Sequence, residues 1–262
     1  MPSRASEGRT LVESALQHER LVTATLIIVI PLVSWTWIAL MARDMYGAML
    51  GPSAWMMTAD WDASHLLLLW AMWAVMMTAM MLPSAAPLVL LYAGALRAGG
   101  AAGVAKKTYA MAAGYVLVWV LFSVAMTVLQ RVLSSALVLT LMMEPTTSVA
   151  AAVLLAVAGL YQLTPLKRAC LRVCRSPLSY LLQHWRPDTA GAFRLGARHG
   201  AYCLGCCWFL MALLFFGGVM NLYWIVGLAV FVLLEKIIPL GHWLGRVAGV
   251  VLIGWGAYLP IH

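Results

Sequence analysis

Apolar residues fill this chain in long runs parted by short polar stretches, and the longest runs have the length of membrane helices. The run 66–82, LLLLWAMWAVMMTAMML, carries no charge before Pro83, and at 1.5 Å per residue it crosses most of a bilayer core. Read at 100° per residue, Met72, Met76, Met77, Met80 and Met81 share one half of the circumference with Trp70 and Trp73. Ala71, Ala74, Val75, Thr78 and Ala79 take the other half. A large, sulfur-rich face thus opposes a small one that a neighbouring helix can approach closely. Methionine also serves as plain packing material, and a large face often meets lipid. Pro83 and Pro87 follow, each lacking a backbone donor and clashing with the preceding turn, so a break is expected in this span.

Extended along the chain, the pattern gives an all-α, polytopic transmembrane bundle of six to seven spans. The seven are about 21–42, 65–97 with its break, 108–130, 147–165, 200–220, 222–238 and 244–260. A polar N-terminus, 1–20, precedes a single transmembrane domain, 21–262, which carries a basic loop at 167–199. The stretch 132–143 is too short to cross; it prolongs the third span or lies at the surface. No small-residue cleavage site ends the first apolar run, which reads as a retained helix.

Composition narrows the class. Of 262 residues 64% are hydrophobic and 10% charged, which excludes a soluble globular domain. The net charge of +8 would suit nucleic acid, but topology accounts for it. With the N-terminus inside, 15 of the 17 Lys and Arg residues fall on the inner side, and only Arg43 and Arg131 fall outside. That asymmetry predicts a cytoplasmic N-terminus, with lipid and not nucleic acid as the partner.

Candidate chemistry gathers at both faces. The outer loop, 43–64, offers Met45, Met49, Met56, Met57, Asp60 and Asp62, with His65 just beyond it. Cys170 and Cys174 stand four apart in RACLRVC, and Cys203, Cys206 and Cys207 stand at i, i+3 and i+4 in YCLGCCW. All five cysteines thus lie at one face, the reducing cytoplasmic one on this topology, where grouped thiols bind metal or do redox work in preference to forming disulfides. Two or three thiolates suit Cu(I); zinc fits if a fourth ligand such as His199 joins. Glu235 lies inside an apolar stretch and requires a partner, functional or structural, whereas Lys236 can snorkel to the inner surface. None of the six histidines stands mid-span to hold a haem.

The runs WAVMMTAMMLPSAAP and AGLYQLTPLKRACLRVCRSP, with GCCW and the later Glu235–Lys236 pair, resemble a bacterial family of predicted metal-binding integral membrane proteins. It is a domain of unknown function, sometimes labelled copper chaperone, and the likeness runs from about 65 to 258. The resemblance implies copper and adds Gln162, Pro165 and Lys167 to the matching positions. The expected function is Cu(I) binding, with transport or delivery to a protein partner, along the methionine helix and the cysteine cluster. No phosphate loop is present, so no ATP hydrolysis in this chain drives it. The rival readings are an assembly subunit of a larger membrane complex without metal of its own and, if the topology is reversed, a thiol oxidoreductase; otherwise no enzyme is expected.

Overall fold

The computed structural model describes residues 24–47, 61–140 and 145–261, and these are helical almost throughout. A π-helical turn, Thr25–Val29, leads into α1 (Ile30–Met45), followed by α2 (Ala63–Ala98), α3 (Val104–Ser135), α4 (Ser148–Leu163), α5 (Pro165–Arg175), α6 (Pro177–His184), α7 (Thr189–Ala212), α8 (Leu214–Gly217), α9 (Leu222–Ile237) and α10 (Gly241–Tyr258). Among the described residues, Leu139 and Pro145 make a single isolated β-bridge. The outer-loop residues Met49, Met56, Met57 and Asp60 lie outside the described residues.

Among the described residues, four helical stretches are long and apolar enough to cross a membrane: Thr25–Met45, Ala63–Ala98, Val104–Ser135 and Thr189–Gly217. The pair Ser148–Leu163 and Pro165–Arg175, bent by 63°, is a fifth if taken as one broken span. Four to five candidate spans thus stand within the all-helical fold.

The expected break in the second span is absent. Pro83 and Pro87 lie inside one helix of 36 residues, about 54 Å long at 1.5 Å per residue, well beyond a 30 Å hydrocarbon core. Two side chains also bond the backbone just before Pro83. Ser84 Oγ donates to the Met81 carbonyl at 2.7 Å, and Tyr115 Oη donates to it at 2.9 Å.

The basic segment 167–199 is not a loop. It comprises α5, α6 and the first turns of α7, which begins where the Asp188 carboxylate caps the Gly191 N–H at 2.8 Å. Starting at Thr189 rather than near 200, α7 carries His199 well inside a spanning helix.

The bundle is organised by α7 against α3, α2 against α3, and α4 against α10. At the α3–α7 crossing a Cβ on Gly196 would strike the Met111 carbonyl, and one on Gly114 would strike the Phe193 carbonyl. Backbone approach this close needs glycine on both sides. Gly196→Leu is expected to separate the two helices and destabilise the fold by about 3 kcal/mol or more, as overpacking does in tight cores; unfolding in mixed micelles measures it.

Candidate metal centre

The sulfur face of α2 turns inward. Met72, Met76, Met77 and Met81 are fully buried and Met80 is 3% exposed, while Ala71, Ala74, Val75 and Thr78 are half-buried. The large side therefore meets protein and not lipid. Met41 and Met45 of α1, Met126 of α3, Met211 of α7 and Met220 join the same core. Unbranched thioethers adapt to the irregular space between crossing helices.

The thiols stand where this core meets α7. Cys203, Cys206 and Cys207 are each 1% exposed. The Cys206 and Cys207 thiols both donate to the Cys203 carbonyl at 3.0 Å, the local bond open to side chains three and four residues on. Packing of α5 on α7 brings Cys174 beside Cys203 and Cys206. Cys170 is half-buried against Gly205, where a Cβ would lie 2.8 Å from its sulfur. All five cysteines are free thiols. Cys207 Sγ lies 4.0 Å from Met81 Sδ, and there the thioether face touches the thiols.

Cys203 has further partners that spacing alone does not disclose. Tyr115 Oη lies 3.0 Å from its sulfur and Lys236 Nζ donates to it at 2.9 Å. Lys236 Nζ also donates to Ser84 Oγ at 2.9 Å. An ammonium can only donate, so the sulfur accepts. Lys236 is 8% exposed; it turns into the bundle instead of snorkelling, because Cys203 and Ser84 supply acceptors within the core. Tyr115 and Ser84 were visible only as lone polar residues in apolar helices, and their meeting depends on the α2–α3–α7 packing.

Among the described residues, no three or more His, Cys, Asp or Glu side chains are grouped so as to hold a metal ion. The thiols adjoin one another, side by side, without closing around a common centre. The accessory candidates lie elsewhere. Glu235 is committed to Lys167, whose Nζ donates to Oε1 at 2.6 Å and to Oε2 at 2.8 Å. Gln162 Oε1 accepts from the same ammonium, and its Nε2 is buried without a partner. Lys167, placed by its sequence position among the solvated inner-face cations, is 2% exposed. Gly245 presses bare backbone against the Glu235 carboxylate, and Arg175 donates to the Ile238 carbonyl at 2.8 Å, tying α5 to the turn after α9.

His65 is 4% exposed, stacked on Trp61 at 5.0 Å between centroids, in the first turn of α2. Along the helix it stands about 24 Å from Met81 at 1.5 Å per residue, too far to share a site with the thiols. Asp62, expected beside it as a cation ligand, caps α2 by accepting from His65 N at 2.7 Å. His199 is 4% exposed and Nδ1 has no partner; its ring lies 5.9 Å from that of Tyr115 and 5.2 Å from that of Tyr180. It shares a helical face with Cys203, four residues on.

Residues 70–259, the larger part of the chain, with all five cysteines and the methionines of α2, match the family model described as PpoB2, copper chaperone. No curated protein and no solved structure matches the chain.

Proposed function

The chain belongs to the PpoB2 copper chaperone family, and from that premise we propose that it binds Cu(I) within the membrane and either moves it across or delivers it to a protein partner. The observation that carries this reading is the 4.0 Å contact between Met81 Sδ and Cys207 Sγ. Soft donors of two kinds meet there, so an ion held by thioethers can exchange onto thiols without regaining its water.

The direction of the pattern agrees with the charge asymmetry. With the N-terminus cytoplasmic and seven spans in a bacterial inner membrane, the His65 end of α2 faces outward and the cysteines lie toward the cytoplasm. Cu(I) tolerates two or three soft ligands, whereas a structural zinc site is closed and four-coordinate. Thiols set side by side suit the former. At Cys203 the arriving ion meets Lys236. Cu(I) binding there adds one positive charge beside the tethered ammonium, so it balances only with release of one proton, from Lys236 or from a ligating thiol. The free thiols act as ligands in this reading, and no catalytic step is assigned to them.

Metal content decides it. Detergent-purified protein loaded with Cu(I) under reducing conditions is expected to retain about one or more coppers per chain, as a soft site of two or three sulfurs requires. Plasma mass spectrometry reads the stoichiometry. The variant Cys203→Ser/Cys206→Ser/Cys207→Ser should retain none at the inner site. Equal copper in the wild type and that variant would remove the thiols from the path. No copper in either would favour a metal-free assembly subunit, and the protein that co-purifies would then become the object of study.

A further inference from the structure

The far side of α5–α7 carries a second built feature. A cleft of about 570 Å³ is lined by Arg186, Arg194 and Arg198 with His184 and Trp185. A smaller one of about 340 Å³ shares Arg198 and His184 with it and adds Arg172. Among the described residues none of these four arginines lies within ion-pair distance of a carboxylate. One acid, Asp188, also lines the cleft; its carboxylate caps α7 and offsets part of the charge of Arg186 and Arg194, leaving the cleft net positive.

Trp185 also borders an apolar groove of about 410 Å³ between α2 and α6, floored by Leu90, Leu91, Gly94 and Ala98 and walled by Leu178 and Leu182. Leu182 is 74% exposed and Leu178 56%. The junction of groove and cleft is fixed by Tyr92, fully buried, whose ring is tilted against that of Trp185 at 5.5 Å between centroids and whose hydroxyl donates to the Arg186 carbonyl at 3.3 Å. A cationic cleft opening beside an apolar groove, with an amphipathic tryptophan at the boundary, has the form of a headgroup site beside a chain site.

We propose that α6 and the start of α7 hold an anionic phospholipid, its phosphate among Arg186, Arg194 and Arg198 and an acyl chain in the groove of Leu90, Leu178 and Leu182. The charge fits one class of lipid: a net positive cleft attracts phosphatidylglycerol or cardiolipin and gains little from a zwitterionic headgroup. Guanidinium groups engage phosphate oxygens in pairs. The site stands apart from the thiols and does not depend on the copper reading.

Native mass spectrometry of the full chain in detergent, titrated with phosphatidylglycerol or phosphatidylcholine of identical acyl chains, tests it. The expected result is preferential retention of phosphatidylglycerol, falling about fivefold for each arginine changed to glutamine. Leu178→Gln/Leu182→Gln should weaken retention while leaving binding of inorganic phosphate unchanged. Both sets lie at the surface and leave the fold intact, which a common unfolding midpoint verifies. Equal retention of the two lipids, or an Arg186→Gln/Arg194→Gln/Arg198→Gln variant that keeps the preference, overturns the proposal. So does displacement of the lipid by inorganic phosphate with no effect of the leucine changes, which would mark a free-anion site instead.

Discussion

Lys167→Met is expected to destabilise the protein by about 3–5 kcal/mol, the usual cost of removing one partner from a buried ion pair. Both side chains of the pair are 2% exposed. Without the ammonium, the Glu235 carboxylate keeps no cation at bonding distance, and Gln162 loses the donor to its Oε1. At 2% exposure the carboxylate has little solvent to replace them, and the Gly245 backbone packs against it. The double variant Lys167→Met/Glu235→Gln should recover most of the loss, because replacing a buried pair as a unit is often close to neutral. Chemical unfolding in mixed micelles reads both. If the double variant is as unstable as the single one, Lys167 acts through contacts other than Glu235. The pair joins the short helix α5 to α9, so its loss should also loosen the placement of Cys170 and Cys174, which α5 carries.

How much of this was legible in the chain depends on whether the signal was local. That Met72, Met76, Met77, Met80 and Met81 share a face follows from helical spacing; that this face turns inward does not, because a large apolar face can equally meet lipid. The cysteine triplet of α7 is legible from the same spacing. The prolines misled because their local effect, loss of the backbone bonds to the Ala79 and Pro83 carbonyls, did not outweigh the tertiary packing of a 36-residue helix. Lys167 and Lys236 misled in a similar way. A lysine near the end of an apolar run ordinarily snorkels, and only tertiary packing discloses that Glu235, Ser84 and Cys203 wait as acceptors inside. The segment 167–199 reads as a loop when charge is counted, yet Thr164 and Asp188 both stand as N-caps in it or beside it. Those caps were the available signal that α5 and α7 begin where they do. The partners of Cys203 had none, because they come from three different helices.

Met81→Leu should cut Cu(I) transfer by at least about tenfold, judging from the 10- to 100-fold that even an outer-shell partner contributes to metal affinity. Leucine conserves volume and hydrophobicity, so stability should change by less than about 1.5 kcal/mol. The defect is then chemical, loss of the thioether that touches the Cys207 thiol. Met111→Leu supplies the control, an identical exchange at a buried methionine of the separate cluster beside α6, and should leave transfer unchanged. Cu(I) uptake into proteoliposomes measures the flux, and X-ray absorption counts the sulfurs around the retained ion. Copper held at thioethers in Met81→Leu, with little reaching thiols, would place the interruption at the junction between α2 and α7. If Met81→Leu and Met111→Leu behave alike, the sulfur of Met81 has no part in the path. The thioether core would then be packing alone, and any copper bound by the thiols would have to arrive from the cytoplasmic side.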